Sequence, residues 1–322
     1  MTKSGVAGKN RLIGAVVPVG ALRGSESTGV GEFLDLIEFA RLCVDMNVGL
    51  IQILPVNDTG YESSPYSALT AFALHPLYLR LSALEEAAPF SKEIEELGKK
   101  FDREIRFPYY QVICAKMELL RKIYNANAGD SGVLAKWIEE NSWVKPYAVF
   151  RRLKESNKEK SWKEWGSYRQ PKASDIALLW DDPALRGEHL FWAWLQKALD
   201  RQFSQAAQAI RDMGLLLEGD LPILMNEDSC DVWANPGIFR SDLSAALRRT
   251  CTVLWAKTGA FPFITGKLNP RMATVGGRPV LRRLKNIMTH TESIMCLVFS
   301  VSGLLPGLII LPFWDGLSPV YR

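Results

Sequence analysis

Along the chain, short apolar runs alternate with longer stretches in which apolar residues recur every third or fourth position. Leu12 to Val17 is the first run, closed by Pro18, and Leu50 to Pro55 is the second. Runs of this length, bounded by proline, predict buried strands. Between them Phe33, Leu34, Ile37, Ala40 and Val44 keep helical spacing across Glu32 to Asn47, and Gly49 is the expected stop before the second strand. Strand, helix, strand is a βαβ unit and implies a parallel pair.

From about Ser82 to Ile176 the pattern changes. Glu85, Glu86, Lys92 to Lys100 and Arg151 to Lys160 are charge-rich, interleaved with Phe107, Tyr109, Tyr110, Trp137 and Trp143. This predicts an inserted, mainly helical subdomain. Acids and bases are mixed in the charged runs, which fits solvated helix faces and argues against a nucleic-acid surface. His189 to Met213 predicts a long helix ended by Gly214, and Leu215 to Leu217 begin a further strand leading to Gly219-Asp220-Leu221-Pro222-Ile223.

The loop after the second strand, Asn57 to Tyr66, gathers hydroxyls, carboxylates and two tyrosines. Sites in parallel α/β proteins sit at the C-terminal ends of strands, and this loop has that place. Its composition also suits an ordinary surface loop, and Asp220 suits a loop cap as well as a site.

Composition narrows the field. The 322 residues are 48% apolar with a net charge of +4, room for a large α/β domain and too little charge to argue for nucleic acid or a membrane surface. Cys43, Cys114, Cys230, Cys251 and Cys296 lack metal-type spacing and read as reduced packing residues of a cytoplasmic protein, with no metal or cofactor expected. The start, Met1 to Asn10, has no apolar core of a secretory signal.

Two blocks carry a specific resemblance. The first is Leu54-Pro55, Thr59-Gly60-Tyr61, Ser64-Pro65-Tyr66 and Thr70-Ala71-Phe72; the second is Gly219-Asp220-Leu221-Pro222-Ile223, Asp228-Ser229 and Asp231-Val232-Trp233-Ala234. Both resemble the 4-α-glucanotransferases (amylomaltases, or disproportionating enzymes), over about Ala15 to Ala245. The resemblance implies an α/β fold, the N-terminal part of a (β/α)₈ barrel, that transfers α-1,4-glucan segments between maltooligosaccharides by a retaining mechanism. It implies first barrel strands and a sugar-site loop in 1–81, the helical insertion in 82–176 and barrel continuation in 177–245. Tyr66 is then the ring on which a glucose unit stacks, Tyr61 a second aromatic contact and Asp220 part of the donor site, with Asp58 and Ser64 as weaker candidates. Stacking suits sugars because their C–H faces are apolar while tyrosine keeps a polar end.

After Ser241 to Ala245 the family's expected Gly-Ala-Pro-Pro-Asp stretch is replaced by Ala246-Leu247-Arg248-Arg249-Thr250-Cys251. Of 35 acidic residues only Glu292 and Asp315 lie beyond Asp242. Back-translating Ala246 to Lys267 with permissible codons and reading one base earlier yields APPDMYSALGQNWGFPIYNWE. The same operation on Ile287 to Gly303 yields YDAYRIDHVLGFFRIW, and both strings resemble the family. Residues 246–322 therefore read as an out-of-frame tail without a recognisable fold. The family's nucleophile, acid/base and stabilising carboxylates all fall beyond the break, so no catalytic residue carries over, and Glu292 and Asp315 sit in no family motif. Ile294 to Trp314 is uncharged and long enough to span a membrane, but in a shifted frame its hydrophobicity was never selected for that.

The expectation is thus a family member with roughly three of eight barrel strands, an open sheet edge and no disproportionating activity. The rival is a non-catalytic glucan-binding or membrane-tethered relic, and a helical interaction protein built on Ser82 to Ile176 is a third possibility. Sequence leaves the oligomeric state open.

Overall fold

The computed structural model describes residues 12–102, 107–127, 131–220, 225–244 and 262–264. Outside them lie Leu221, Pro222 and Ile223 of the second motif block, the chain start, Cys251 and Cys296, Glu292 and Asp315, the apolar run 294–314 and nearly all of the tail.

Three parallel strands form the central sheet in the order β1-β2-β3: β1 Gly14–Val17, β2 Leu50–Ile53 and β3 Leu216–Glu218. Ala15 pairs with Ile51 and Ile51 with Leu217, so these positions share one face. That face is the core side, where Ile51, Ile53 and Leu217 are fully buried. The helix α1 (Asp35–Asp45) and the helix α7 (Arg186–Asp212) pack together over it, with the Phe33 ring stacked on Phe203 at 4.7 Å. The opposite face carries Gly14, Val16, Leu50, Gln52 and Leu216, and there Val16 is 64% exposed.

Between β2 and α7 the chain forms α2 (Ser91–Asp102), α3 (Tyr109–Ala126), α4 (Ser131–Glu140), α5 (Val144–Ser156) and α6 (Ala173–Asp181). Their buried residues, among them Leu120, Ile138, Phe150 and Trp180, belong to the same contiguous apolar cluster as the sheet. After β3 come α8 (Cys230–Ala234) and an antiparallel pair, β4 (Phe239–Ser244) with β5 (Pro262–Ile264). The strand β5 is the described part of the segment expected to lack a recognisable fold.

Helix ends obey local chemistry. Gly214 closes α7 at φ +79°, with its N–H on the Arg211 carbonyl and the Leu215 N–H on the Ile210 carbonyl, the paired bonds of a Schellman cap. The end of α1 differs from expectation, because Asn47 rather than Gly49 takes the left-handed conformation, at φ 55°. The Asn47 and Val48 N–H groups satisfy the Val44 and Cys43 carbonyls. Asparagine tolerates this geometry, and Gly49 leaves room for the exposed Leu12 side chain, whose Cδ1 would lie 2.6 Å from an added Cβ.

The run Arg151 to Lys160 is the clearest correction to the sequence reading. It is a solvated face only in part: Ser156, Lys158 and Lys160 are exposed, whereas Arg151 and Lys154 are each 4% exposed. Arg151 lies between Asp58 and Glu159, with its guanidinium 4.6 Å from the Trp192 ring, and Lys154 reaches Asp228 at 2.5 Å. Buried cations of this kind need partners close by, and distant segments supply them here.

A second buried ionic cluster ties α3 to the first βα unit. Lys116 donates to Glu32 Oε1 and to the Leu77 carbonyl, both at 2.7 Å. Arg80 bridges Glu32 and Asp35, and the Thr28 hydroxyl donates to Glu32 at 2.8 Å. Two cations against two carboxylates leave the quartet neutral. Nearby, Gln196 of α7 accepts from the Leu74 N–H and donates to the Leu74 carbonyl, and Gln202 does the same with Arg80, all at 2.8 Å. Two side-chain amides thus satisfy the backbone that follows the β2 loop.

Candidate sugar-binding site

The loop after β2 leaves the sheet at Leu54 and returns antiparallel to itself, with the Asp58 N–H on the Ala73 carbonyl and the His75 N–H on the Val56 carbonyl. Asp58 begins the turn. Its Oδ1 accepts from the Gly60 N–H at 2.8 Å, an Asx turn, and Gly60 itself takes a left-handed φ of +61°. Its Oδ2 accepts from the Tyr147 hydroxyl at 2.7 Å and faces Arg151 at 3.5 Å. Asp58 is 1% exposed, so its carboxylate lies beneath the loop and is occupied there. Ser64 is exposed, and its carbonyl takes the Ser67 N–H at 3.1 Å, closing the turn that carries Pro65-Tyr66.

Tyr66 and Asp220 come together. The Tyr66 hydroxyl donates to Asp220 Oδ2 at 2.9 Å across 154 residues of sequence. The Tyr66 ring is 46% exposed, so a large part of it is open to a ligand. Partial burial, then the Asp220 carboxylate it donates to, raises the Tyr66 phenol above its ordinary value, and the group stays a neutral donor. Tyr61 packs its ring against Tyr110 at 5.4 Å, and burial pushes its phenol up to about 12.

The two motif blocks meet along a seam. The Cys230 N–H donates to the Leu69 carbonyl at 2.7 Å. Asp231, in the first turn of α8, accepts from the Ala71 N–H at 2.8 Å and the Thr70 hydroxyl at 3.2 Å. Burial pushes the Asp231 carboxyl from 3.8 up to about 6, against the pull of those two bonds. Asp228 takes the Trp162 N–H at 3.0 Å together with Lys154, and the buried Trp233 donates its indole N–H to the Tyr168 carbonyl at 2.7 Å.

Four supporting residues escaped the sequence reading as parts of this site: His75, Tyr109, Tyr147 and Arg151. Tyr109 was visible only as half of an aromatic doublet. His75 lies three residues past the first motif block, with no spacing signal to mark it. Among the described residues no group of three or more His, Cys, Asp or Glu side chains is placed to hold a metal ion, and no helix is long and apolar enough to cross a membrane.

Known proteins fit this arrangement. A family profile described as 4-alpha-glucanotransferase matches residues 17–262, which carries the likeness past the Ala245 boundary set from the motifs. A 4-alpha-glucanotransferase of Chlamydia caviae is 36% identical over 242 residues, covering 72% of this chain and 44% of its own length. One from Oryza sativa subsp. japonica is 35% identical over 242 residues, covering 71% of this chain and 26% of its own length. The chain thus spans less than half the length of these relatives. Among solved structures, an amylomaltase from Streptococcus agalactiae in complex with acarbose superposes with a TM-score of 0.67 at 19% identity, over 85% of this chain and 57% of that one. The amylomaltase of Corynebacterium glutamicum gives 0.64 at 19% identity, over 86% and 39%. At this identity the superpositions speak for the fold alone, an α/β arrangement to which the described residues contribute three parallel strands. With 246 consecutive residues inside the family profile, the chain belongs to the 4-alpha-glucanotransferase family.

Proposed function

We propose that this chain retains the maltooligosaccharide-binding surface of a 4-α-glucanotransferase and lacks the carboxylates that perform the transfer. The observation that carries the reading is the Tyr66–Asp220 contact, an open aromatic ring and a carboxylate from two family motifs joined at 2.9 Å. Such a pair supplies what a glucose unit asks for: an aromatic face for its C–H surface and acceptors for its hydroxyls. Tyr61 adds a second aromatic surface on the same loop, and Ser64 offers a hydroxyl beside Tyr66. Asp58 acts from beneath by fixing the turn.

Retaining transfer needs a carboxylate nucleophile and a second carboxyl as acid/base. In this reading neither is present in a family motif, because the sequence after about Ala245 is translated out of frame. The loss of acidic residues after Asp242 and the two family-like strings in one shifted frame support this. Purified protein is expected to bind maltoheptaose or acarbose, to lose that binding on Tyr66→Ala, and to release no glucose from maltotriose. Glucose release by the 322-residue protein would overturn the inactivity. Sequencing the coding DNA across the Leu243 to Thr250 codons tests the frame directly. A missing or added base there means a product with its carboxylates restored and transferase activity; family motifs in the shifted frame of an otherwise confirmed DNA mean an inactive product. A shifted frame without family motifs refutes the account of the tail. The non-catalytic glucan-binding relic is the same site seen without its chemistry, and ligand binding without turnover is its signature.

A further inference from the structure

We propose that His75 and Tyr109 are positioning residues that set the conformation of the sugar-binding loop just ahead of Tyr61. The proposal rests on the reading of that loop as the maltooligosaccharide surface. The Leu77 N–H donates to His75 Nδ1 at 3.0 Å, so Nδ1 carries a lone pair and the ring proton is on Nε2. That proton lies toward the Tyr109 hydroxyl at 2.6 Å. The Tyr109 oxygen is therefore an acceptor from His75, and its own proton is free for the loop. Two acceptors are in reach, the Gly60 carbonyl and the Thr59 hydroxyl oxygen, each at 3.1 Å. Thr59 has already committed its proton to the Glu62 carbonyl at 2.6 Å, which leaves its oxygen able to accept. The chain of donors runs one way, from His75 to Tyr109 to Thr59-Gly60.

Burial makes this direction stable. His75 is 2% exposed, and burial lowers its pKa to about 4, so it stays neutral and keeps one fixed tautomer at ordinary pH. Tyr109 opens α3, and the next residue, Tyr110, is the one whose ring packs at a tilt against Tyr61. One residue of the doublet thus pins the backbone of the loop from within while its neighbour meets the ring that follows. Nothing else in the loop needs a histidine at position 75. An asparagine could accept from Leu77, but it could not also reach Tyr109.

That difference gives the test. In His75→Gln the amide nitrogen takes the place of Nε2 and preserves the donor to Tyr109. In His75→Asn the amide oxygen takes the place of Nδ1, so the Leu77 bond survives and the donor is lost. Tyr109→Phe removes only the hydroxyl and guards against a histidine variant that fails to fold. Hydrogen–deuterium exchange across residues 57–66 and maltoheptaose affinity by calorimetry are the readouts, with α7 as internal control. His75→Asn and Tyr109→Phe are expected to speed exchange in the loop about tenfold, the effect of about one hydrogen bond. They should weaken maltoheptaose binding by a similar factor, leave α7 unchanged, and be matched by near-normal behaviour of His75→Gln. Unchanged loop exchange in His75→Asn and Tyr109→Phe overturns the proposal, as does loosening that extends equally into α7. Exchange that follows the pattern in a protein that binds no maltoheptaose supports the positioning and refutes the sugar-site reading instead.

Discussion

The seam between the motif blocks makes a prediction that can be worked through from one residue. Asp231 holds Thr70 and Ala71 from the first turn of α8, and its carboxyl is raised from 3.8 to about 6, with burial as the leading cause. A carboxyl whose folded value lies above its unfolded one favours protonation in the fold. Its contribution to stability is therefore fully present below about pH 4 and is lost as pH rises through about 6. The interval corresponds to about 3 kcal/mol at neutral pH. The position at a helix N-terminus favours negative charge by roughly 0.3–1 kcal/mol, which leaves about 2–3 kcal/mol. Asp231→Asn keeps the shape, can still accept from the Ala71 N–H and never ionises. Urea denaturation of both proteins should give nearly equal stability near pH 4 and an asparagine variant more stable by about 2–3 kcal/mol above pH 7. Parallel pH profiles for the two proteins would refute the reasoning, because they would mean that the seam holds a charged carboxylate without cost.

His75 should respond in the opposite sense. Its folded value of about 4 lies below the ordinary 6.5, so its contribution is present above about pH 6.5 and lost as pH falls toward 4, by roughly 3 kcal/mol; urea denaturation of His75→Gln should lack this acid loss. Lys116→Met leaves the fully buried Glu32 with one cation fewer and should cost about 3–5 kcal/mol in the same assay, while adding Glu32→Gln to it should recover part of that. Tyr66→Phe removes a hydroxyl from the surface, so stability should change by less than about 0.5 kcal/mol. Calorimetry should nevertheless find maltoheptaose binding weakened about fivefold, the effect of roughly 1 kcal/mol, because Asp220 loses its fixed partner.

Sequence made some of this legible and hid the rest for a physical reason. The strands β1, β2 and β3 show as apolar runs because both the core face and much of the other face of a parallel sheet are apolar. The end of α7 shows because Gly214 is the residue type that a left-handed cap prefers; the end of α1 was misread because Asn47 fills that role less conspicuously. The buried ionic network was invisible. Arg151, Lys154 and Lys116 look like surface residues until Asp58, Asp228 and Glu32 are brought beside them, and those partners come from far along the chain. Tyr66 and Asp220 were named from the family motifs alone, since neither periodicity nor composition marks an exposed tyrosine and aspartate as neighbours.

That they are neighbours follows from strand order. β2 and β3 are hydrogen-bonded in register although the whole helical stretch separates them in sequence. The loops that leave their C-terminal ends must therefore emerge side by side, whatever lies between. The helices α2 to α6 can vary in length and composition without moving that meeting point, provided α1 and α7 still cover the core face of the sheet and Tyr109, Tyr147 and Arg151 still hold the loop. The contacts that define the site are instead the few that cross from one loop to the other: Leu69 with Cys230, Thr70 and Ala71 with Asp231, and Tyr66 with Asp220. Substitutions on helix faces that touch neither the seam nor the Asp58–Tyr61 turn should accordingly alter stability while leaving ligand affinity intact. Substitutions along the seam should alter affinity as well as stability, because the seam fixes where the Tyr66 ring stands relative to the Asp220 carboxylate.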